Sequence, residues 1–554
     1  MRALVCGCVF WAACTESPAA PVAADAGVDV GVASETHDDV VAVEPEVGSG
    51  EDVGSAPDVP LGPLASVWLE NPIDSPKTTE VTLLHLTDPD GRLVGEFANV
   101  RNCVADKERG KVVTVDPGGI GLQLTLCAPD HTARPGDDGT YLHLRPPETP
   151  VIDSDAFAEV MMYHHLQRIH DYFQGLGLTD LDHPLPALVN LQVYLPLCDT
   201  WSAFGNALFT PEGSFTYAIE FDFDIDEPAI MFGQTATKDF AYEADVISHE
   251  YTHAMVGSTR LNAIFVDEQG LNNLPGALNE AYADYFATSL ADESVIGNYA
   301  LNAVEGLTVC GVPLSVSGNL QRDLTADRRC PDDLTAEVHA DGEIFASALW
   351  AIREALGPAV ADRVILDAVI GFTQATDFAA AAEATIIEAE DQLDNATADK
   401  VRQVFIDRGL LGCERVVPAA KLGARLALQF AGGGALGPGP LGDDTPGFVQ
   451  VGVDVPEGAQ EVLLTLQVQG DAVIDGLVKP GGAVKLGGDN GSDAVARLAF
   501  DAPSKNTRVL RLSGPCIAGR WSVLVLSRGD DFAVVGATVT AVDAPGEPTV
   551  PCGS

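Results

Sequence analysis

Two histidines stand four positions apart in the run 246–255, with Glu250 directly after the first of them, His249, and His253 closing the pattern H-E-x-x-H. The apolar residues around them predict a helix, on which positions i and i+4 share a face, so both imidazoles can grip one metal ion. Zinc held in this way keeps one position for water and brings that water's pKa toward neutrality. A nearby carboxylate is then needed to take the proton as the water attacks a carbonyl, and Glu250 fits that role. Downstream, residues 276–286 also predict a helix, with Pro275 where a first turn accepts it. On it Glu280 and Asp284 are again one turn apart. Glu280 can supply a third zinc ligand, while Asp284 can accept the outer N–H of a ligating histidine and so set the ring's tautomer. The bland alternative is a surface helix that carries H-E-x-x-H by coincidence, and a second helix of this kind argues against it.

These residues resemble the pattern of the thermolysin-like and fungalysin-like zinc metallopeptidases, over residues 150–410. The resemblance implies His249, His253 and Glu280 as ligands of one Zn2+, Glu250 as general base and Asp284 as the carboxylate behind a ligating histidine. Glu280 follows His253 by 27 positions, longer than in thermolysin and closer to the fungalysin spacing. By the same resemblance Arg322 polarises the substrate carbonyl and His339 hydrogen-bonds the oxyanion, where a donor aimed at developing charge contributes most. Read without the resemblance, His339 heads a helix whose buried stripe is Ile344, Phe345, Ala348, Leu349, Ile352 and Leu356. The carboxylate that should orient His339 is not at the thermolysin spacing, and Asp332 and Asp333 are candidates. Asn206 and Ala207 resemble a pair on an edge strand that binds the substrate backbone. Asp245 matches a calcium-binding position of thermolysin without its acidic partners, so Ca2+ remains open.

Positioning these groups requires a large chain, and 554 residues allow two or more domains. The expected class is α+β: a two-lobed thermolysin-like unit, β-rich in its N-lobe and helical in its C-lobe, followed by an all-β sandwich. Residues 63–150 alternate short β-prone runs with turns and read as the N-terminal β-rich part, with a short pro-function as the alternative. Residues 151–415 form the expected metallopeptidase core. It opens on a helix from a cap near Asp153 or Ser154 to Gly175, whose His164, His165 and His170 read as structural. Residues 416–554 form the expected sandwich, in which a Gly/Pro-rich break at 431–446 precedes Val/Leu-rich runs that resemble pre-peptidase C-terminal domains. A chain ended near Ala420 is expected to keep its activity.

Residues 1–14 resemble a bacterial lipoprotein signal with Cys14 as the lipidated residue. Residues 15–62 hold many acids and neither Lys nor Arg up to position 60, the composition of a disordered linker. The expected location is extracellular or the outer cell surface, with membrane contact only through lipid at Cys14. A net charge of −50 argues against nucleic acid and anionic membranes as partners. Protein or peptide substrates and a monomeric state are expected. Eight cysteines follow position 14, scattered in a way that suggests disulfides. The pairs closest in sequence are 103–127, 310–330 and 516–552, which leaves 198–413. The competing function is a surface binding protein whose zinc site is inert. Such a site would have no use for Glu250 or His339.

Overall fold

A computed structural model describes residues 62–115, 122–149, 155–210, 213–217, 221–225, 228–257, 261–302, 308–309, 312–313, 320–422, 428–430, 444–469, 473–487, 491–528, 532–542 and 546–551. The expected signal, Cys14 and nearly all of the acidic linker lie outside these residues, as do Cys310 and Cys552. The architecture is α+β, and among the described residues it has seven α-helices.

Helix α1, Ala156–Gly175, is capped one or two residues later than its sequence suggests, because the Asp155 carboxylate accepts the Phe157 N–H at 3.0 Å. Two of its histidines are structural, as expected. His165 Nε2 lies 2.9 Å from the Trp68 carbonyl, and His170 stacks on Phe97 and contacts Asp182. The long strand Leu185–Leu195 runs through the middle of a mixed sheet. It pairs in parallel with Ala98–Val104 and Ala229–Gly233, and antiparallel with Leu122–Leu126 and Thr200–Ala203. Strand Ala207–Thr210 pairs antiparallel with Ala229–Gly233 and ends the strand order on that side. Within residues 63–150, the β-prone runs 92–97 and 141–144 are not strands. Residues 92–97 make only isolated bridges, and Tyr141 sits in a turn, buried, with its hydroxyl donating to the Gly91 carbonyl at 2.7 Å.

Six helices then build the helical layer around the histidines. Helix α2, Ala244–Val256, is buried on nearly every side and stops at Gly257, whose φ of 77° ends the helical path. The Ser248 and Thr252 hydroxyls bond back to carbonyls four residues earlier, Ser248 to Ala244 and Thr252 to Ser248, so neither of these hydroxyls is stranded. Helix α3, Leu274–Ala291, has Pro275 in its first turn, and the Asn272 side chain accepts the Leu274 N–H. Helix α4, Val338–Leu356, is capped by Glu337. Gly342 lets α3 and α4 approach closely, since a Cβ there would stand 2.8 Å from the Ala277 carbonyl and 3.1 Å from Glu280 Cβ. Tyr282, Phe286 and Phe345 are fully buried across this seam, each adding roughly 2–3 kcal/mol of apolar burial. Helices α5 (Pro358–Ile370), α6 (Phe378–Gln392) and α7 (Asn395–Asp407) complete the layer.

The C-terminal region is β-rich. One sheet contains Val416–Pro418, Gln450–Val455, Gly519–Arg528, Val473–Pro480 and Ala496–Ala499, and a second contains Leu428–Phe430, Phe532–Ala541, Glu461–Gln469, Thr507–Ser513 and Asp501–Ser504. Val462, Leu464, Leu466 and Leu510 from one sheet meet Val451, Val523 and Val525 from the other in a shared core. Strand Val473–Pro480 was not expected, because Asp475 and Gly476 interrupt its apolar run. The region is also in contact with the helical layer. Hairpin Phe265–Asp267/Gly270–Asn272, between α2 and α3, bonds to it through Leu271 N–H to the Gly447 carbonyl. A chain ended near Ala420 would strip that hairpin of Gly447, Gln450 and Leu524, which bears directly on the expected separability.

The disulfides correct half of the proximity pairing. Cys103–Cys127 forms as expected, but Cys330 pairs with Cys413, which overturns both 310–330 and 198–413. Helices α4 to α7 fold back so that Cys330 N–H bonds to the Arg408 carbonyl, and this brings the two sulfurs together across 83 residues. Cys198 and Cys516 are also disulfide-bonded, to partners outside the described residues. The 516–552 pairing therefore lies outside them. Replacing Cys330 and Cys413 together by Ser should lower stability by about 4 kcal/mol on the chain-entropy argument. A chemical-denaturation midpoint measures it, and loss of the Cys103–Cys127 loop, 24 residues apart, should cost less.

Candidate metal centre

The i, i+4 spacing on α2 sets His249 and His253 side by side, with their Nε2 atoms 3.1 Å apart. Glu280 reaches them from α3. Its Oε2 is 3.4 Å from His249 Nε2, and its Oε1 is 3.8 Å from His253 Nε2. Ligand atoms of the three residues all fall within 4.8 Å of one another, and all three side chains are buried. Among the described residues this is the one group of three His, Cys, Asp or Glu side chains able to hold a metal ion.

The outer nitrogens are occupied. His249 Nδ1 lies 2.9 Å from Asp284 Oδ1, a short contact in which the ring N–H is not aimed straight at the oxygen. His253 Nδ1 lies 3.0 Å from Asn279 Oδ1. With protons on both Nδ1 atoms, the two Nε2 lone pairs face each other and a carboxylate oxygen, Glu280 Oε2, that accepts no hydrogen bond. Two ring nitrogens and a carboxylate oxygen converging among buried side chains form the donor set of a divalent cation, and N,N,O suits zinc. Asn279 had no assigned role in the sequence reading. Its signal was its place next to Glu280 on the ligand-bearing face.

Charge explains how the carboxylates stay ionised. Burial opposes ionisation of Glu280, yet His339 and His253 bring its pKa down to about 2. Burial likewise works against Asp284, and the Arg322 guanidinium holds it well below the usual carboxylate range through two bonds of 2.6 Å. For His249, burial disfavours the cation, but Asp284 and Glu280 carry its pKa up to about 9. Zinc must therefore displace a proton here, and its affinity rises with pH. Glu250, 2 % exposed, is pushed upward by burial against the pull of His253 and His249. It also accepts the Phe209 backbone N–H, which sets it beside strand Ala207–Thr210.

His339 opens α4 with Nε2 3.3 Å from Glu280 Oε2. Its Nδ1 lies 2.6 Å from Glu337 Oε1, while Glu337 Oε2 accepts the Ala340 N–H as the helix cap. The orienting carboxylate is thus Glu337, not Asp332 or Asp333. One side chain caps the helix and holds its first histidine, and a search for a separate partner further upstream overlooks it. Asp341 fastens the preceding loop by accepting Thr335 and Ala336 N–H groups. Asn206 and Ala207 stand at the start of the outermost strand, with the Asn206 carbonyl accepting the Gly233 N–H at 2.8 Å. Asp245 sits apart from the three ligands, its Oδ2 accepting the Gly297 N–H at 2.9 Å and its pKa pushed up to about 7 by burial.

Asn279→Ala should leave the fold intact and weaken zinc binding roughly ten- to a hundredfold, the usual cost of losing a partner behind a ligating histidine. Competition against a chromophoric chelator measures it, and unchanged affinity would show that the Asn279 contact does not matter.

No curated protein matches this chain. Residues 158–413 match the family model of the fungalysin metallopeptidases (M36), a span that contains every residue placed here around the two histidines. On the site and on this match together, residues 158–413 resemble the fungalysin metallopeptidases, and this part of the chain is a thermolysin-like zinc metallopeptidase, a hydrolase acting on peptide bonds.

Proposed function

We propose that the chain is an exported endopeptidase in which Glu250 is the general base, His339 the oxyanion donor, and His249, His253 and Glu280 the ligands of one zinc ion. The observation that carries this reading is the convergence of three buried acceptors, His249 Nε2, His253 Nε2 and Glu280 Oε2, with Glu250 next to the first ligand in sequence. Zinc, when bound there, supplies a Lewis acid that acidifies water and polarises a carbonyl. Glu250 takes the proton of the attacking water and passes it to the leaving amine. Its Oε2 accepts no hydrogen bond, and burial keeps its pKa above that of a free glutamate, nearer to the working range of a base.

Glu337 holds His339 with Nδ1–H donating, and in its protonated form the ring donates from Nε2–H to the oxyanion as it forms. Arg322 spends two donors on Asp284 and keeps others on its five-donor fork for a substrate carbonyl. The substrate backbone adds as a further strand along Ala207–Thr210, with Asn206 and Ala207 as its first contacts. That places the scissile bond near Glu250, which is tied to Phe209 of the same strand.

Export is supported by the Cys103–Cys127 and Cys330–Cys413 disulfides, which persist in oxidising surroundings. No helix among the described residues is long and apolar enough to cross a membrane. Lipid at Cys14 is the anchor we favour, and a catalytic unit ending at 415 with a sandwich from 416 is the division we favour. Calcium has only Asp245 in its favour and is not part of the mechanism.

Glu250→Gln should retain one zinc per chain and lose nearly all hydrolysis of casein or a quenched peptide, read by elemental analysis and a fluorescence assay. Full activity in this variant would rule out Glu250 as the base. His339→Ala should lower kcat on the order of a hundredfold with KM nearly unchanged, because an oxyanion donor acts in the transition state. A raised KM at constant kcat would make His339 a substrate-binding residue instead.

A further inference from the structure

The extra chain between the two zinc helices forms hairpin Phe265–Asp267/Gly270–Asn272, and its outer side is seated on the C-terminal β-rich region. There Gln269 is held from two directions: its carbonyl accepts the Gln450 Nε2–H at 3.0 Å and its side chain accepts the Arg415 backbone N–H at 2.8 Å. The buried Arg415 guanidinium pairs with Asp267. Gly270 has φ of 130°, and a Cβ on it would stand 2.4 Å from the Gly447 carbonyl, so the two backbones are in direct contact.

The inner side of the same hairpin meets the catalytic machinery. Asp267 Oδ2 accepts the Asn272 Nδ2–H at 2.8 Å, and Asn272 Oδ1 accepts the Leu274 N–H at 2.9 Å, which starts the helix that carries Glu280. Next to it, Asn273 Nδ2 donates to the Ala336 carbonyl at 3.0 Å. Ala336 has φ of 66°, a conformation that a residue with a side chain holds only under constraint, and Glu337 and His339 follow directly. Gly276 and Val338 also touch here, with 3.1 Å between a Cβ on the glycine and Val338 Cγ1.

We propose that this hairpin is a brace through which the C-terminal β-rich region sets His339 against Glu280, with Asp267 as its positioning residue. Asp267 touches neither zinc nor substrate. It orients Asn272 with one oxygen while Arg415 holds the other, and so transmits the docked position of the hairpin to the loop before α4. The inference rests on the reading of His339 as oxyanion donor. In Asp267→Asn the amide presents N–H where either Asn272 or Arg415 requires an acceptor, so one of the two contacts is lost without change of size.

The test uses the full-length zinc-loaded chain and a quenched peptide. Asp267→Asn should lower kcat three- to thirtyfold with KM within twofold and one zinc retained, at a temperature well below its melting point. Gly270→Ala, which lifts the hairpin by collision instead of by charge, should do the same. Glu268→Gln removes only the exposed pair with Lys485 and should leave kcat unchanged. In a His339→Ala background, Asp267→Asn should have almost no further effect on kcat. A kcat that is unaltered by Asp267→Asn, while His339→Ala alone is impaired, overturns the brace and spares the His339 reading. So does an equal further loss in the double variant, which would show that the hairpin acts elsewhere. A normal kcat in His339→Ala itself overturns both.

Discussion

The centre depends on keeping buried carboxylates ionised within a helical layer. Isolated, a buried carboxylate would take up a proton, because desolvation of the anion costs several kcal/mol. Asp284 escapes this by accepting two Arg322 N–H groups at 2.6 Å while lying 2.9 Å from His249. Glu280 escapes it through three surrounding imidazoles. Each charge is therefore justified by the next, from Arg322 through Asp284 and His249 to Glu280 and His339. Removing one member leaves an uncompensated charge inside the protein, which is why such networks are all-or-nothing. The chain of charges ends on the Nε2 atoms of His249 and His253 with Glu280 Oε2, the three groups able to hold a metal ion.

Much of this was legible in the residues because it is local. The four-residue spacings of His249 with His253 and of Glu280 with Asp284 force common faces on helices, and the helices formed where Pro275 and the apolar runs implied. What failed was tertiary. Cys330 lies 20 positions from Cys310 but bonds to Cys413, since the packing of α4 to α7, not separation along the chain, decides which sulfurs meet. Glu337 escaped notice because it does two tasks, as helix cap and as partner of His339. Strand Val473–Pro480 escaped because pairing on both sides sustains it despite a glycine and an aspartate.

The length of chain between His253 and Glu280 marked the family resemblance but did not reveal what that length is for. In the fold it becomes a hairpin that bonds the β-rich C-terminal region to the start of α3, through Arg415, Gly447 and Gln450. A Gly/Pro-rich break in sequence therefore does not imply an independent neighbour in space. Continuity of the apolar core across both regions, from Leu271 and Leu274 to Phe448 and Val449, follows the same logic: two surfaces in contact bury area that neither could bury alone.

The central claim is a zinc site with three protein ligands and one position left for chemistry. X-ray absorption fine structure of the zinc-loaded protein tests it directly. The account predicts two imidazole nitrogens and one carboxylate oxygen at about 2.0–2.2 Å together with one further light-atom donor, and no sulfur. It also predicts that the shell keeps four donors but loses one imidazole when His253 is replaced by Ala. A shell containing sulfur, or one whose imidazole count is the same in that variant, would contradict it.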